Sequence, residues 1–542
     1  MMKLAQNRFI QTLAICLSLI LISGCQPKDI PSGLVYCSEG NPEGFNPQTV
    51  TLGTTIDASS HQIYNHLIDF DVSTGKVSPS LATSWEVSND GKTYTFKLRK
   101  GVKFHHNKWF TPSRNFNAQD VLFSFNRIID ETNPYHYVSH NGYPFFQSIG
   151  FQSLVNSISA PNTHTVVFHL NHPDASFLSN LASDFAVILS KEYADTLLKA
   201  GTPQMIDQFA IGTGAFTFKQ YVKNEYIRYQ RNDDYWGARA KVEHLVFDIT
   251  RKNSQRLAKL LTDDCGVSAL PKPLELKVAD QNPHIQIQQQ RGMNVSYWAF
   301  NTSKPPFNDP EVRQALAMAI NKDDILSVVY RQTAVEAYSV LPPASWAHTI
   351  NPKHQGYNPT KARQILQSKG LTDLRMNIWT MPTARTYNPN PVKTAQLIQA
   401  DLAKVGIKAK IKNYDWSVFS KKLNRSQYDS VLLGWNADNS DPDNFFSPYL
   451  SCSALKSKSN RAQWCNPEFD DILKQAKVIT DQAERKKLYQ QAEILLSEQA
   501  PLVPLAHSNR IILKRSDIKG VKLAPYGGIS FAKVYHSKEL KD

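Results

Sequence analysis

Gly434-Trp435-Asn436-Ala437-Asp438-Asn439-Ser440-Asp441-Pro442-Asp443-Asn444-Phe445 is the stretch on which the reading of this 542-residue chain turns. It closes an apolar run, residues 429–435, that reads as a strand ending in Gly434-Trp435. Asp441 and Asp443 flank Pro442, a spacing that marks a turn rather than an acid/base pair. Residues 392–405 upstream have the spacing of an amphipathic helix, and Gly406-Ile407-Lys408-Ala409-Lys410-Ile411 follows as a strand. Further back, Asp309-Pro310-Glu311-Val312-Arg313 opens a helix with Pro in its first turn. Downstream, residues 468–499 hold two helices, and Ile511-Ile512-Leu513-Lys514 is a strand again. Strand-helix alternation from about residue 308 predicts an α/β lobe.

The earlier part of the chain reads differently. Gly33-Leu34-Val35-Tyr36-Cys37 is a strand, and residues 57–68 carry helical spacing through Ile63, Tyr64 and Leu67. Residues 85–98 form a hairpin around Asp90-Gly91. Asn117-Ala118-Gln119-Asp120 starts a helix that continues through Val121, Phe125 and Ile128. Residues 165–170 and 226–230 are strands, so this part is α+β. A boundary near 292–301 and a return near 507–510 make two crossings between lobes.

Composition limits the function classes. Hydrophobic residues make up 41% and charged residues 20%, with 26 Phe, 22 Tyr and 9 Trp. This is a globular composition, unlike a disordered chain, a collagen or a multi-span membrane protein. The net charge is +14, and +12 without Lys3 and Arg8 of the first 24 residues. The charges are spread out, with no basic block interleaved with aromatics, so no nucleic-acid partner is expected. No Gly-x-Ser-x-Gly elbow, His-Glu-x-x-His or Cys-x-x-Cys-His occurs. Gly91-Lys92-Thr93 lacks the upstream Gly of a phosphate loop, and Gly212-Thr213-Gly214 lacks the third Gly of a dinucleotide fingerprint. His105-His106 and His136/His140 read as surface or turn histidines. The expectation is no catalytic residue, no metal and no cofactor.

Residues 1–24 read as an export signal: Lys3 and Arg8, then a mostly apolar segment from Ile10 to Ile22. Leu21-Ile22-Ser23-Gly24-Cys25 resembles a bacterial lipobox, which makes Cys25 the lipidated first residue and 25–32 a tether. The four cysteines that remain in the mature body are Cys37, Cys265, Cys452 and Cys465. An even number in an oxidising compartment implies two disulfides, with three connectivities to choose from. Cys452 and Cys465 flank a short polar loop and are paired here, which leaves Cys37 with Cys265. A zinc site lacks the Cys-x2-Cys or His spacing it needs.

Several segments together carry a family resemblance. Leu34-Val35-Tyr36-Cys37-Ser38-Glu39-Gly40, Gly212-Thr213-Gly214-Ala215-Phe216, Asp234-Tyr235-Trp236-Gly237, Gly292-Met293-Asn294-Val295, Val312-Arg313-Gln314-Ala315-Leu316 with Ala319-Ile320-Asn321-Lys322, and the 434–445 stretch resemble the peptide-binding family of ABC-importer substrate-binding proteins. Lys108-Trp109-Phe110-Thr111-Pro112-Ser113-Arg114, Asn133-Pro134-Tyr135-His136, Lys304-Pro305-Pro306 and Ala344-Ser345-Trp346-Ala347 resemble its Sap branch, which is linked to antimicrobial-peptide resistance.

The resemblance implies a mixed α/β, α+β periplasmic binding protein of the large peptide-binding type, with two lobes joined by two hinge strands. Lobe I would span 33–292 with an extra subdomain at about 70–210, lobe II would span 293–507, and 508–542 would return to lobe I. It implies that Asp438 holds a peptide's α-ammonium, since a buried cation needs an opposite charge nearby. It implies that Arg385, in Met381-Pro382-Thr383-Ala384-Arg385-Thr386-Tyr387-Asn388-Pro389-Asn390, holds the carboxylate, which its fork can grip with two hydrogen bonds. Trp435 and Tyr387 would supply flat walls, with Gly434 and Asn436 beside them. The implied partners are peptides, permease subunits and a membrane reached through the lipid anchor. The implied state is a periplasmic monomer, with the choice between inner and outer membrane open. Haem is the alternative ligand, and the +12 charge weighs against a long cationic one.

Overall fold

The structure, a computed structural model, describes residues 33–71, 74–140, 142–350, 356–414 and 416–537. Residues 1–24, read above as an export signal, Cys25 and the expected tether at 25–32 lie outside the described residues.

Two lobes share one continuous sheet. In the first, strand Gly33–Ser38 buries Leu34 and Tyr36 and pairs in parallel with His244–Ile249. Tyr226–Arg231 and Phe216–Val222 extend that side as antiparallel neighbours. In the second lobe, Asn294–Phe300 is buried along its whole length and pairs with Ser430–Asn436. Arg375–Thr380 follows in parallel, with Lys408–Asn413 beyond it. Asn294–Phe300 is antiparallel to both of its neighbours, and only the edge beyond Ser430–Asn436 is parallel.

The fourteen-residue strand Leu502–Arg515 joins the lobes. Its first part pairs with Asn294–Phe300 and with Ala334–Glu336, which reaches Ser508. Residues 509–515 pair with Ile285–Arg291. Strand partners therefore change at Gly292-Met293 and again at Ser508-Asn509. The Asn294 side chain ties the two places, donating to the Ser508 carbonyl and accepting from the Ser508 N–H, each at 2.9 Å. A Cβ at Gly292 would collide with both the Asn294 amide and the Ser508 carbonyl, so glycine is required at that position.

The first lobe carries a four-stranded antiparallel extension in the order Ala82–Val87, Thr93–Leu98, Thr165–Leu170, Val155–Asn162. Helix Ala118–Ile129 covers it, and Asn117 and Asp120 close its N-terminus reciprocally. Phe96, Phe125, Phe146, Phe151, Phe168 and Phe177 fill the space between. The structure joins Cys37 to Cys265 and Cys452 to Cys465. The first bridge fastens strand Gly33–Ser38 to the segment just before Val267–Ser268.

Two sequence readings differ from the fold. The helix predicted over 57–68 is found at Gly53–Ser59. Beyond it the carbonyls of Gln62 and Ile63 accept from Phe216 and Gly214, at 2.9 and 2.8 Å, instead of continuing a helix. Gly212 and Gly214 press against those carbonyls with no room for a Cβ, which accounts for Gly212-Thr213-Gly214 without any nucleotide. The strand read at 511–514 begins at Leu502, because Pro501 and Pro504 disguise its first half. Among the described residues no helix is long and apolar enough to cross a membrane.

Candidate ligand-binding cleft

Two adjoining cavities of about 170 and 330 Å3 lie between the lobes and share Asp184, Asp438 and Pro525–Gly528. The larger of the two falls at the lower end of small-molecule sites, roughly 300–1,000 Å3. A small third cavity holds Arg385 and adjoins the first through Leu270, Thr386 and Ile511.

Asp438 sits just past the end of strand Ser430–Asn436, where the chain leaves the sheet and turns over the cleft. Asn444 sets its position: the Asn444 Oδ1 accepts from the Asp438 N–H at 2.9 Å and from Trp435 Nε1 at 3.1 Å. The Asn444 amide reaches the Asp438 carboxylate at 3.4 Å. No Lys, Arg or His among the described residues pairs with that carboxylate. Burial pushes its pKa up to about 7, against the opposing Asn444 hydrogen bond.

The first lobe faces it with groups that the sequence did not single out. Asp184 accepts from His61 at 2.6 Å and from the Gly528 N–H at 2.7 Å. Burial opposes the charge on each, but their mutual attraction wins, holding Asp184 down to about 2 and lifting His61 to about 9. Asp57 accepts from Tyr36 at 3.3 Å and from the Ile529 N–H at 3.0 Å. Burial first, and then the Glu39 charge, raise Asp57 to about 7. Arg510 lies across the same cavity and donates to the Ala524 and Tyr526 carbonyls at 2.8 and 2.7 Å. The cleft wall therefore sets carboxyl groups against cations, Glu39, Asp57 and Asp184 beside His61 and Arg510. Glu39 lies in a quoted motif, but Asp57, His61, Asp184 and Arg510 come from separate segments that only the fold assembles.

Of the candidate residues, Asp438 and Asn436 line the cleft, and Arg385 lines the adjoining small cavity. The Arg385 N–H and carbonyl bridge Asn388, and its guanidinium is 3.5 Å from the Ala384 carbonyl. Trp435, Tyr387 and Gly434 are not among the residues lining these three cavities. Trp435 stacks on Tyr449 with ring centroids 4.9 Å apart. Tyr387 is 8% exposed and packs where a Gly434 Cβ would stand, so Gly434 makes room for that ring. Among the described residues no group of three or more His, Cys, Asp or Glu is arranged to hold a metal ion.

Residues 76–457 match the family of bacterial extracellular solute-binding proteins, family 5. The chain is 45% identical over 502 residues to the dipeptide-binding protein of Escherichia coli K12, covering 92% of this chain and 94% of that one. It is 42% identical over 508 residues to the probable ABC transporter periplasmic-binding protein SapA of the same organism, covering 94% and 93%. It is 41% identical over 498 residues to heme-binding protein A of Haemophilus influenzae, covering 92% and 91%. The solved dipeptide binding protein of Pseudoalteromonas sp. SM9913, in complex with Met-Leu, superposes with a TM-score of 0.89 at 45% identity, covering 93% of this chain and all of that one.

Proposed function

Since the chain belongs to the bacterial extracellular solute-binding proteins of family 5, we propose that it captures short peptides between its two lobes and delivers them to the permease of an ABC importer. The family consists of solute-binding proteins, and this chain is read as one without catalysis or cofactor. The observation that carries the peptide reading is Asp438, a half-buried carboxylate on the cleft with no cation paired to it among the described residues. A peptide's α-ammonium would complete it, and the chain's likeness to the dipeptide-binding proteins supports that assignment. Arg385 then takes the carboxylate end. The lobes are assigned to 33–292, 293–507 and 508–542, with the extension at about 70–210. Cys25 is read as a lipid anchor that holds a monomer at a periplasmic membrane face.

Haem is the rival ligand, on the strength of the Haemophilus relative. The imidazoles of the cleft speak against it. His66 has both ring nitrogens engaged, with Asp69 at 2.7 Å and Ser60 at 3.1 Å, and His61 is held by Asp184. Native mass spectrometry of the protein as purified, followed by gentle release of what it carries, tests the reading. Masses of short peptides are expected, and a haem mass would overturn it.

A further inference from the structure

The segment that carries Asp438 also carries the contacts that hold the lobes together. Asn439, the next residue, is fully buried, and its amide donates to the Asn180 side chain of the first lobe at 3.0 Å. Two residues on, Asp441 accepts from the Ser176 hydroxyl of the first lobe at 3.2 Å. The Ala175 N–H donates to the Lys477 carbonyl at 2.7 Å, a third bond between lobes beside these two. Ser176 and Asn180 belong to one short element of the extension, around helix Phe177–Leu181, and both are almost fully buried.

On its own lobe the segment is braced by buried polar contacts. Arg485 grips Asp441 with two hydrogen bonds of 2.9 Å, and Lys477 pairs with Asp443 at 3.2 Å. The Asn439 side chain also accepts from the Asp441 N–H at 2.9 Å. Asp438, Asn439 and Asp441 are therefore one stiff unit, so a first-lobe group bonded to Asn439 or Asp441 acts on Asp438 as well.

We propose that Ser176 and Asn180 are positioning residues for ligand capture: they latch the closed lobes through Asp441 and Asn439 and so hold Asp438 over the cleft. This rests on the peptide reading above and deepens it. Neither residue lines the cavities around Asp438 or Arg385, so the latch sets affinity without choosing among ligands. The two hydrogen bonds are buried and made only when the lobes meet, so their loss weakens the closed state specifically.

The test is a Ser176→Ala/Asn180→Ala variant of the full chain, with a dye pair on exposed residues of the two lobes read by single-molecule fluorescence transfer. The latch predicts a smaller closed fraction in the variant than in wild type, both alone and with the dipeptide Met-Leu. Met-Leu affinity should fall about tenfold. The order of preference among dipeptides and the melting temperature of the ligand-free form should stay at wild-type values. Equal closed fractions overturn the latch whatever the dipeptide does. A fall in ligand-free melting temperature with no change in closed fraction also overturns it, because that marks a purely structural role. A wild-type protein with normal closure but no dipeptide affinity overturns the peptide reading instead.

Discussion

At one end of the cleft Asp438 is half-buried on a segment braced by Asn444, Arg485 and the first lobe, with no cation paired to it among the described residues. At the other end Arg385 sits on a short turn, its guanidinium lying along its own backbone, beside a cavity of about 40 Å3. The first end is prepared: desolvation has already been imposed on a carboxylate and waits for a cation. The second is a partly exposed guanidinium on a turn, whose fork would meet a carboxylate if the peptide reading holds. On the peptide reading, two motif residues of equal standing in the sequence are predicted to carry unequal shares of binding, because desolvation of the Asp438 carboxyl raises the worth of pairing it.

The largest expected effect breaks the comparison if it fails. Asp438→Asn should weaken a dipeptide with a free amine by about 100-fold, roughly the 3 kcal/mol of an unpaired buried charge. Titration calorimetry checks it, and a loss no larger than that of Arg385→Ala would erase the asymmetry. Next comes pH. Asp438 titrates near 7, so its charge is present above that value and lost below it. Affinity should fall about tenfold from pH 6 to pH 5. It should also decline above about pH 8, where the ligand's own amine loses its proton. Asp438→Asn should flatten the acidic limb.

Arg385→Ala should cost about tenfold, the worth of a charge-assisted pair that stays partly in water. Retention of most affinity by Arg385→Lys would show that charge rather than the fork is used. The smallest effect is on stability. A carboxyl whose pKa is raised on folding costs stability as pH climbs from about 4 to about 7, because the unfolded form releases its proton first. Asp438→Asn should therefore raise the ligand-free melting temperature at pH 8 by about 1–2 °C and leave it unchanged near pH 4. Calorimetric scans at the two values read it.

Much of the fold was legible because local signals agreed with it. The Asn117 start of helix Ala118–Ile129, the Asp90-Gly91 hairpin and helix Pro310–Met318 all fall where spacing and turn chemistry put them. The helix over 57–68 failed for a tertiary reason: the Gly214 and Phe216 N–H groups take the carbonyls that would have continued it. Only part of the candidate cleft lining was legible. Asp438 and Arg385 lie in motifs, but His61, Asp184, Asp57 and Arg510 meet only through the sheet and the return of the chain. Tyr387 reads as a wall residue until its packing against Gly434 is seen.

Calorimetry with Met-Leu and with its N-acetylated form tests the central claim most directly, because the two ligands differ only in the charge that Asp438 would hold. Binding of the free dipeptide, with the acetylated one about 100-fold weaker or undetectable, is the predicted result. Equal binding of both would contradict the assignment of Asp438 to a peptide's α-ammonium.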